Sequence, residues 1–398
     1  MKFNTPVPKY ELENRLNAFK SELEKKDKSW QMVLINNPVN LYYLTGTVPD
    51  GLLVITKEQA ILWVRRDYDR ARNESEFENI RSMKSFREIA EYFKDIPKTV
   101  YLEYKYANLQ WLSLIKKHLA FEKYKDVLPV LQSIRAIKSE YEIECMKASG
   151  KIQSQSLEQI LPVFLREGVS EAELCGEVLL DLIRRGSMGS CRFENPHGEA
   201  VGGICSFSES GLNGISFDSP DGCKGTYIPI QALGSHSRKL KKGDIIFADI
   251  ACGVAGYHTD KSVTYFYGRL SEHKNGDLIK TAYNICLEIE KKASAMLKPN
   301  TILSDIYDFA YNAVPNEFKS GFMFGKKFLG HSVGLAMDEY PAIAKGFDLE
   351  IKSNQVFALE PKIKLDGIGL VGTENTYLVS EQGGICLTGK PQPLIEII

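Results

Sequence analysis

The chain lacks a long apolar run. Its best stretches, such as residues 51–56, are far too short to cross a bilayer, so no membrane partner is expected. It also lacks a charge excess of either sign: 50 basic residues face 51 acidic ones, for a net charge of -1. A nucleic-acid partner would call for a basic excess, so none is expected. No C-x-x-C pair occurs among the eight cysteines, and the first of them is Cys145. That spacing excludes a zinc finger. The opening MKFNTPVPKYELENR carries no apolar core of a secretory signal. Free thiols in a reducing cytoplasm are therefore expected, rather than a disulfide framework. Histidine is scarce, at six residues, so each can be weighed singly.

What is present is a globular composition, with 43% apolar and 25% charged residues. A length of 398 residues is enough for two domains with proper cores. Between Tyr10 and Lys26, the residues Leu12, Leu16, Phe19 and Leu23 recur at helical spacing. WQMVLINNPVNLYYLTG reads as a buried strand, a turn at Asn36-Asn37-Pro38 and a second apolar segment. GLLVITKEQAILWV reads as a hairpin turning at Lys57 and Glu58, and KTVYLEY as a further strand. Alternating strands and helices to about residue 125 define a compact α/β domain. A long polar helix from Ser139 opens the second domain, with the boundary placed at 130/131.

Inside the second domain there is an internal echo. LREGVSEAELCGEVLLDLIRRG from 165 resembles LKPNTILSDIYDFAYNAVPN from 297. Each has a helix ending in Leu plus a basic residue, a short turn and a second amphipathic helix. Ser170 and Glu173 form a capping box in the first copy. Two unrelated amphipathic helices would also look alike; a true repeat would make two related halves with a site between them. The segment from Cys191 to Thr226 is rich in Gly, Ser, Asn and Asp and reads as a long irregular loop of functional character.

Four acidic residues stand in strand-like apolar surroundings: Asp249 in DIIFADIACG, Asp260 in GYHTDKSVTYF, Glu360 in QVFALEPKI and Glu374 in GLVGTENTYLV. Asp249 shares pleat parity with Ile245 and Phe247, so it points to the buried face. Taken singly, Asp260 reads as a turn residue, Glu374 as an edge-strand charge and Glu360 as a strand end. Taken together with His331 in GHSVGL, metal is the simplest account, because burying several carboxylates costs dearly unless a cation pairs them. One imidazole and four carboxylates suit two divalent ions such as Mn²⁺, Co²⁺, Fe²⁺ or Zn²⁺. Two such ions share a bridging hydroxide and polarise a carbonyl.

In order and context these residues resemble the pita-bread metallohydrolases: aminopeptidase P, prolidase, methionine aminopeptidase and creatinase. NPVNLYYLTG is similar to the N-terminal domain of the aminopeptidase P, prolidase and creatinase branch, and IRAIKSEYEIECMKAS to the segment joining its domains. RKLKKGDIIFADIACG is similar to its approach to the first aspartate. The resemblance implies an α/β (α+β) fold. A creatinase-like domain over 1–130 would precede a pita-bread domain over 131–398, with pseudo-twofold halves around a curved antiparallel sheet. It implies a homodimer and a peptide substrate. It implies that Asp249 chelates one ion, Asp260 and Glu374 bridge both, and His331 and Glu360 complete the other. The nucleophile would be a metal-held hydroxide, with Glu360 as proton shuttle.

The surrounding positions depart from the peptidase pattern. Asp338 stands where peptidase members carry a second histidine, Lys327 where another is frequent, and Gly372 where the prolidase branch has arginine. Lys261, Ser262, Val263 and Thr264 replace I-T-R-T after Asp260. His236 is the nearest candidate for the remaining catalytic histidine, and Asp338 a candidate acceptor for a cationic group. Lys327 and His197 are candidate substrate-binding residues, though a loop histidine such as His197 is more often simply solvated. His118 reads as structural, His273 as a loop residue, and His258 as sharing strand parity with Asp260 or lying in the turn. Missing histidine donors weaken oxyanion stabilisation and bear on the substrate, not on the metal. The expected activity is Xaa-Pro aminopeptidase or dipeptidase. The alternative is a non-peptidase relative acting on a small C–N metabolite, an amide or amidine. A scaffold on the same fold ranks last, because all five ligand positions are kept.

Overall fold

The computed structural model describes residues 5–194, 202–217 and 219–398. It divides into two compact units, Met1–Arg135 and Ala136–Ile398.

The first unit opens on the helix Lys9–Lys26, which buries Leu12, Phe19 and Leu23 together with a Glu11–Arg15 ion pair one turn apart. Six strands follow: β1 (Met32–Ile35), β2 (Asp50–Thr56), β3 (Ala60–Arg66), β4 (Ile80–Ser82), β5 (Thr99–Leu102) and β6 (Lys123–Asp126). They form one mixed sheet in the order β4-β3-β2-β1-β5-β6. β1 is buried along its whole length, as its unbroken MVLI run requires. β2 and β3 form the expected hairpin around Lys57 and Glu58. The second apolar segment is a helix, Pro38–Thr45: the Asn37 side chain accepts from the Val39 and Asn40 amides, and Pro38 sits in the first turn, where its missing N–H costs nothing.

The second unit begins with the helix Glu140–Gln155, capped by a reciprocal Ser139–Glu142 box. Its buried Gln153 Nε2 donates to the carbonyls of Ile250 and Thr259. The helix Glu171–Arg184 carries the expected Ser170–Glu173 box. Next come β7 (Gly203–Phe207), β8 (Ile245–Ile250), β9 (Cys252–Val254), β10 (Tyr257–Thr259) and β11 (Ser262–Tyr267). The second half supplies β12 (Phe328–Ser332), β13 (Glu339–Ala344), β14 (Val356–Leu359), β15 (Lys362–Leu365), β16 (Gly369–Gly372), β17 (Asn375–Leu378) and β18 (Ile385–Cys386), before the final β19 (Ile395–Ile397).

Two larger sheets result, β19-β11-β8-β7 and β13-β12-β14-β17-β18. Each half repeats one plan. In the first, the helix Glu171–Arg184 packs Leu174, Val178 and Leu182 over Phe207, Ile246 and Ala248. In the second, the helix Leu303–Ala313 packs Ile306, Tyr307 and Ala310 among Leu329, Ile343 and Phe357. These two helices are the second helices of the internal echo. In each half a small hairpin stands between two sheet strands: β9/β10 between β8 and β11, and β15/β16 between β14 and β17. This is the pita-bread plan of related halves.

The segment from Cys191 to Thr226 is not loop throughout. β7 lies inside it, pairing Ile204 with Asp249 of β8. GICSF is too short and too rich in small residues to show a period; its partner across the sheet makes it a strand.

Candidate metal centre

The four acidic residues sit at equivalent places in the two halves. Asp249 closes β8 and Asp260 follows β10, so they flank the first hairpin; Glu360 follows β14 and Glu374 precedes β17, so they flank the second. The halves are stitched at this point. Thr376 Oγ1 donates to the Asp260 carbonyl (2.9 Å), and the Glu374 amide donates to the Ser262 carbonyl (3.3 Å). His331 lies on β12 opposite Ala358 of β14. Gly330 is needed beside it, because a Cβ there would stand 2.0 Å from the Ala358 carbonyl oxygen.

His331 Nε2 lies 3.5 Å from Glu360 Oε1 and 3.8 Å from Asp260 Oδ2. Its Nδ1 is 3.3 Å from the Ser332 carbonyl, which leaves Nε2 as the nitrogen facing the carboxylates. Asp260 Oδ1 accepts from the Lys261 amide, and Ser262 Oγ donates to Glu374 Oε2 at 2.5 Å. Ligating atoms of Asp260, His331 and Glu374 all fall within 4.8 Å of one another. Glu374 Oε1 is buried and finds no hydrogen-bond donor among the described residues. An orphaned buried carboxylate oxygen beside an imidazole and a second carboxylate fits a divalent cation with oxygen and nitrogen ligands.

Sequence reasoning missed two members of the cluster. Lys362, the first residue of β15, is fully buried, and its Nζ stands 2.9 Å from Glu360 Oε2, 3.0 Å from Asp249 Oδ2 and 3.2 Å from Glu374 Oε2. Asp221, from the long segment, brings Oδ1 to 2.7 Å from the same nitrogen. Lys362 was open to discovery: it stands two residues after Glu360 in EPKIK, on the same pleat parity. Asp221 had no such signal, because an irregular segment carries no periodicity.

Burial dominates the electrostatics. It raises Asp260 well above the usual carboxylate range, with Glu374 and Asp249 adding to the effect. It raises Asp249 against the pull of Lys362. Asp221 and Glu374 are pushed up to about 7 by burial, again opposed by Lys362. Burial works against the charges of His331 and Lys362, yet the carboxylates outweigh it. Glu360, Glu374 and Asp338 raise the imidazole, and Asp221, Asp249, Glu360 and Glu374 raise the ammonium.

The remaining predicted residues lie apart. Asp338 Oδ1 accepts from the Glu194 amide (2.7 Å), so its carboxylate holds a neighbouring segment while its charge helps raise the His331 imidazole. His236 is exposed and packs edge-on against Tyr227, with no hydrogen bond or ion pair to the cluster among the described residues. Lys327 is exposed at the start of β12, where its carbonyl accepts from the Lys345 amide. His197 lies outside the described residues. His258 is wholly buried: it bridges the Gly334 carbonyl and the Arg192 amide, and burial lowers it to about 4, as suits a neutral structural imidazole. Lys261 Nζ turns away, to Asn375 and Glu158. Gly372 pairs with Lys362 across β15/β16.

Buried carboxylates and one imidazole, gathered where two related half-sheets meet, are the construction of a metal-dependent hydrolase. Residues 144–381 match Metallopeptidase family M24, and residues 15–137 match the Creatinase/Prolidase N-terminal domain. The chain belongs to metallopeptidase family M24 and is an enzyme of its hydrolase class. It is 27% identical to the Xaa-Pro dipeptidase of Pyrococcus horikoshii over 94% of this chain and 98% of that one. It is 25% identical to the Xaa-Pro dipeptidase of Pyrococcus furiosus over 94% and 100%. The crystal structure of the Pyrococcus horikoshii prolidase superposes with a TM-score of 0.79 at 24% identity, covering 95% of this chain and all of that one. An X-Pro aminopeptidase from Thermotoga maritima superposes with a TM-score of 0.77 at 20% identity, over 95% and 99%.

Proposed function

We propose that this chain is a metal-dependent Xaa-Pro dipeptidase. The observation that carries the reading is the Asp260–His331–Glu374 grouping with its orphaned Glu374 Oε1, in a chain aligned almost end to end with Xaa-Pro dipeptidases. Asp260, His331, Glu360 and Glu374 are assigned as the metal-binding side chains, and Asp249, the fifth residue of the expected set, faces Lys362 in the same cluster. When bound, a divalent ion such as Mn²⁺, Co²⁺, Zn²⁺ or Fe²⁺ supplies a Lewis acid that polarises the scissile carbonyl and acidifies water. The resemblance implies two ions, a number that turns on Lys362.

The chain's own groups supply the rest. Ser262 fixes Glu374 through its hydroxyl, and the Lys261 amide fixes Asp260 Oδ1. Lys362 donates to Glu360 Oε2, which leaves Oε1 on the side of the metal position, beside His331. The His331 tautomer is set by its Nδ1 contact with Ser332. The test is hydrolysis of a panel of Xaa-Pro dipeptides and Xaa-Pro-Yaa tripeptides with each ion added. Turnover of the dipeptides is expected, and none above a metal blank across the panel would refute the reading.

A second reading, hydrolysis of a small amide or amidine, draws on His236 lying exposed and on Asp338 being engaged with Glu194. Those positions supply no imidazole donor for a peptide oxyanion. A metabolite screen that returns only peptides would exclude it. No helix among the described residues is long and apolar enough to cross a membrane. A cytoplasmic homodimer completes the proposal; light scattering that returns the monomer mass would remove the dimer.

A further inference from the structure

The geometry points to Lys362 as a built-in cation: we infer that its ammonium takes one of the two cation positions of the cluster, so that the chain binds one divalent ion instead of two. This rests on the metal-dependent reading above and deepens it.

The carboxylates divide into two groups by what faces them. Asp249 Oδ2, Glu360 Oε2, Glu374 Oε2 and Asp221 Oδ1 surround Lys362 Nζ at 2.7–3.2 Å. Asp260 Oδ2, Glu360 Oε1 and the orphaned Glu374 Oε1 are left for another cation, with His331 Nε2 beside the first two. Glu360 and Glu374 therefore each offer one oxygen to the ammonium and keep the other. That is the arrangement a pair of metal ions would impose on bridging carboxylates, here with nitrogen as one of the two cations.

An ion on the Asp249 side would need the same Asp249 and Glu374 oxygens at about 2.0–2.2 Å. Divalent ions in two-metal sites sit about 3.5–4 Å apart. An ion on those oxygens would lie closer to the ammonium than two cations approach in such sites, so the ammonium and an ion cannot both hold that position. The stem of Lys362 is built into the fold. The side chain is completely buried, its Nζ lies 5.5 Å from the Phe247 ring centroid, and Gly372 opposite is what makes room for it. A Cβ on residue 372 would come within 2.7 Å of Lys362 Cγ. Asp221 adds a carboxylate that no metal position claims, as expected if an extra fixed cation must be balanced.

The test counts ions without reference to turnover. The full chain is stripped with chelator, titrated with Mn²⁺, desalted and analysed by elemental mass spectrometry, and the bound Mn²⁺ is examined by electron paramagnetic resonance. The wild-type chain is expected to hold one ion with the six-line spectrum of isolated Mn²⁺. Lys362→Ala is expected to hold two, with an exchange-coupled spectrum; Lys362→Met, which keeps the stem's volume, serves if the alanine variant does not fold. Two ions in the wild-type chain, or none, overturns the inference, and so does a lysine variant that still stops at one. Xaa-Pro turnover by a two-ion wild type would leave the proposed function standing while this inference fell. One ion without turnover would do the reverse.

Discussion

Lys362→Met in the metal-stripped enzyme should be strongly destabilised near neutral pH and nearly harmless in acid. The substitution removes a wholly buried ammonium and leaves Asp221, Asp249, Glu360 and Glu374 facing one another. At separations near 3 Å and an effective dielectric of about 20, each pair is worth about 5 kcal/mol of gross attraction. Desolvation of the ammonium and protonation of the carboxylates offset most of that sum. Breaking a buried ion pair by removing one partner costs about 3–5 kcal/mol. For a unit of this size that lowers Tm by about 6–20 °C. The pH arm isolates the cause. Asp221 and Glu374 already sit at about 7 with the lysine present, held up by burial. Without it they rise further, so below about pH 5.5 they carry protons and the missing cation leaves little repulsion. Scanning calorimetry of stripped wild type and variant at about pH 5 and pH 7.5 reads both effects. A stripped variant as stable as wild type at the higher pH, or an equal loss at both, would refute the reasoning. Saturating Mn²⁺ should return part of the loss, about 2.7 kcal/mol at a hundredfold excess over Kd.

Asp260→Ala and Glu374→Ala should each lose tight metal binding and activity together, checked by ion counting and by Xaa-Pro turnover; wild-type activity in either would contradict their assignment. Ser262→Ala should keep the fold and weaken ion affinity by about 10- to 100-fold, because it removes only the hydroxyl that orients Glu374; isothermal titration reads it, and unchanged affinity would make that contact incidental. For the stripped enzyme, the raised carboxylates bind protons more tightly when folded than when unfolded. The stability they contribute is present below their ordinary range and is lost as pH rises through about 7. The gap in Tm between metal-loaded and stripped protein should therefore widen from acid to neutral pH, and a constant gap would show that these carboxylates do not titrate as described.

Much of the fold was legible because local rules and packing agreed. The Ser170–Glu173 box fixes a helix start from four residues alone, and the MVLI run marks a strand buried on both faces. Parity along IIFADI placed Asp249 on the inner side, and the same rule applied to EPKIK would have placed Lys362 beside Glu360. β7 and the fate of Asp338 were not legible. GICSF becomes a strand only by pairing with β8, and the Asp338 carboxylate is claimed by a backbone amide 144 residues away in the chain.

The sequence by itself determined which side chains are available: one imidazole and four carboxylates in strand contexts, each set by a short motif whose period or cap acts within a few residues. Tertiary structure alone decided how they are shared. The distance from Lys362 to Asp221 spans 141 residues of chain but 2.7 Å of space, and no local pattern encodes it. The two half-sheets bring those groups into one low-dielectric pocket, where a single ammonium is shared among four carboxylates. That closure, rather than any motif, sets how many cations the centre can take.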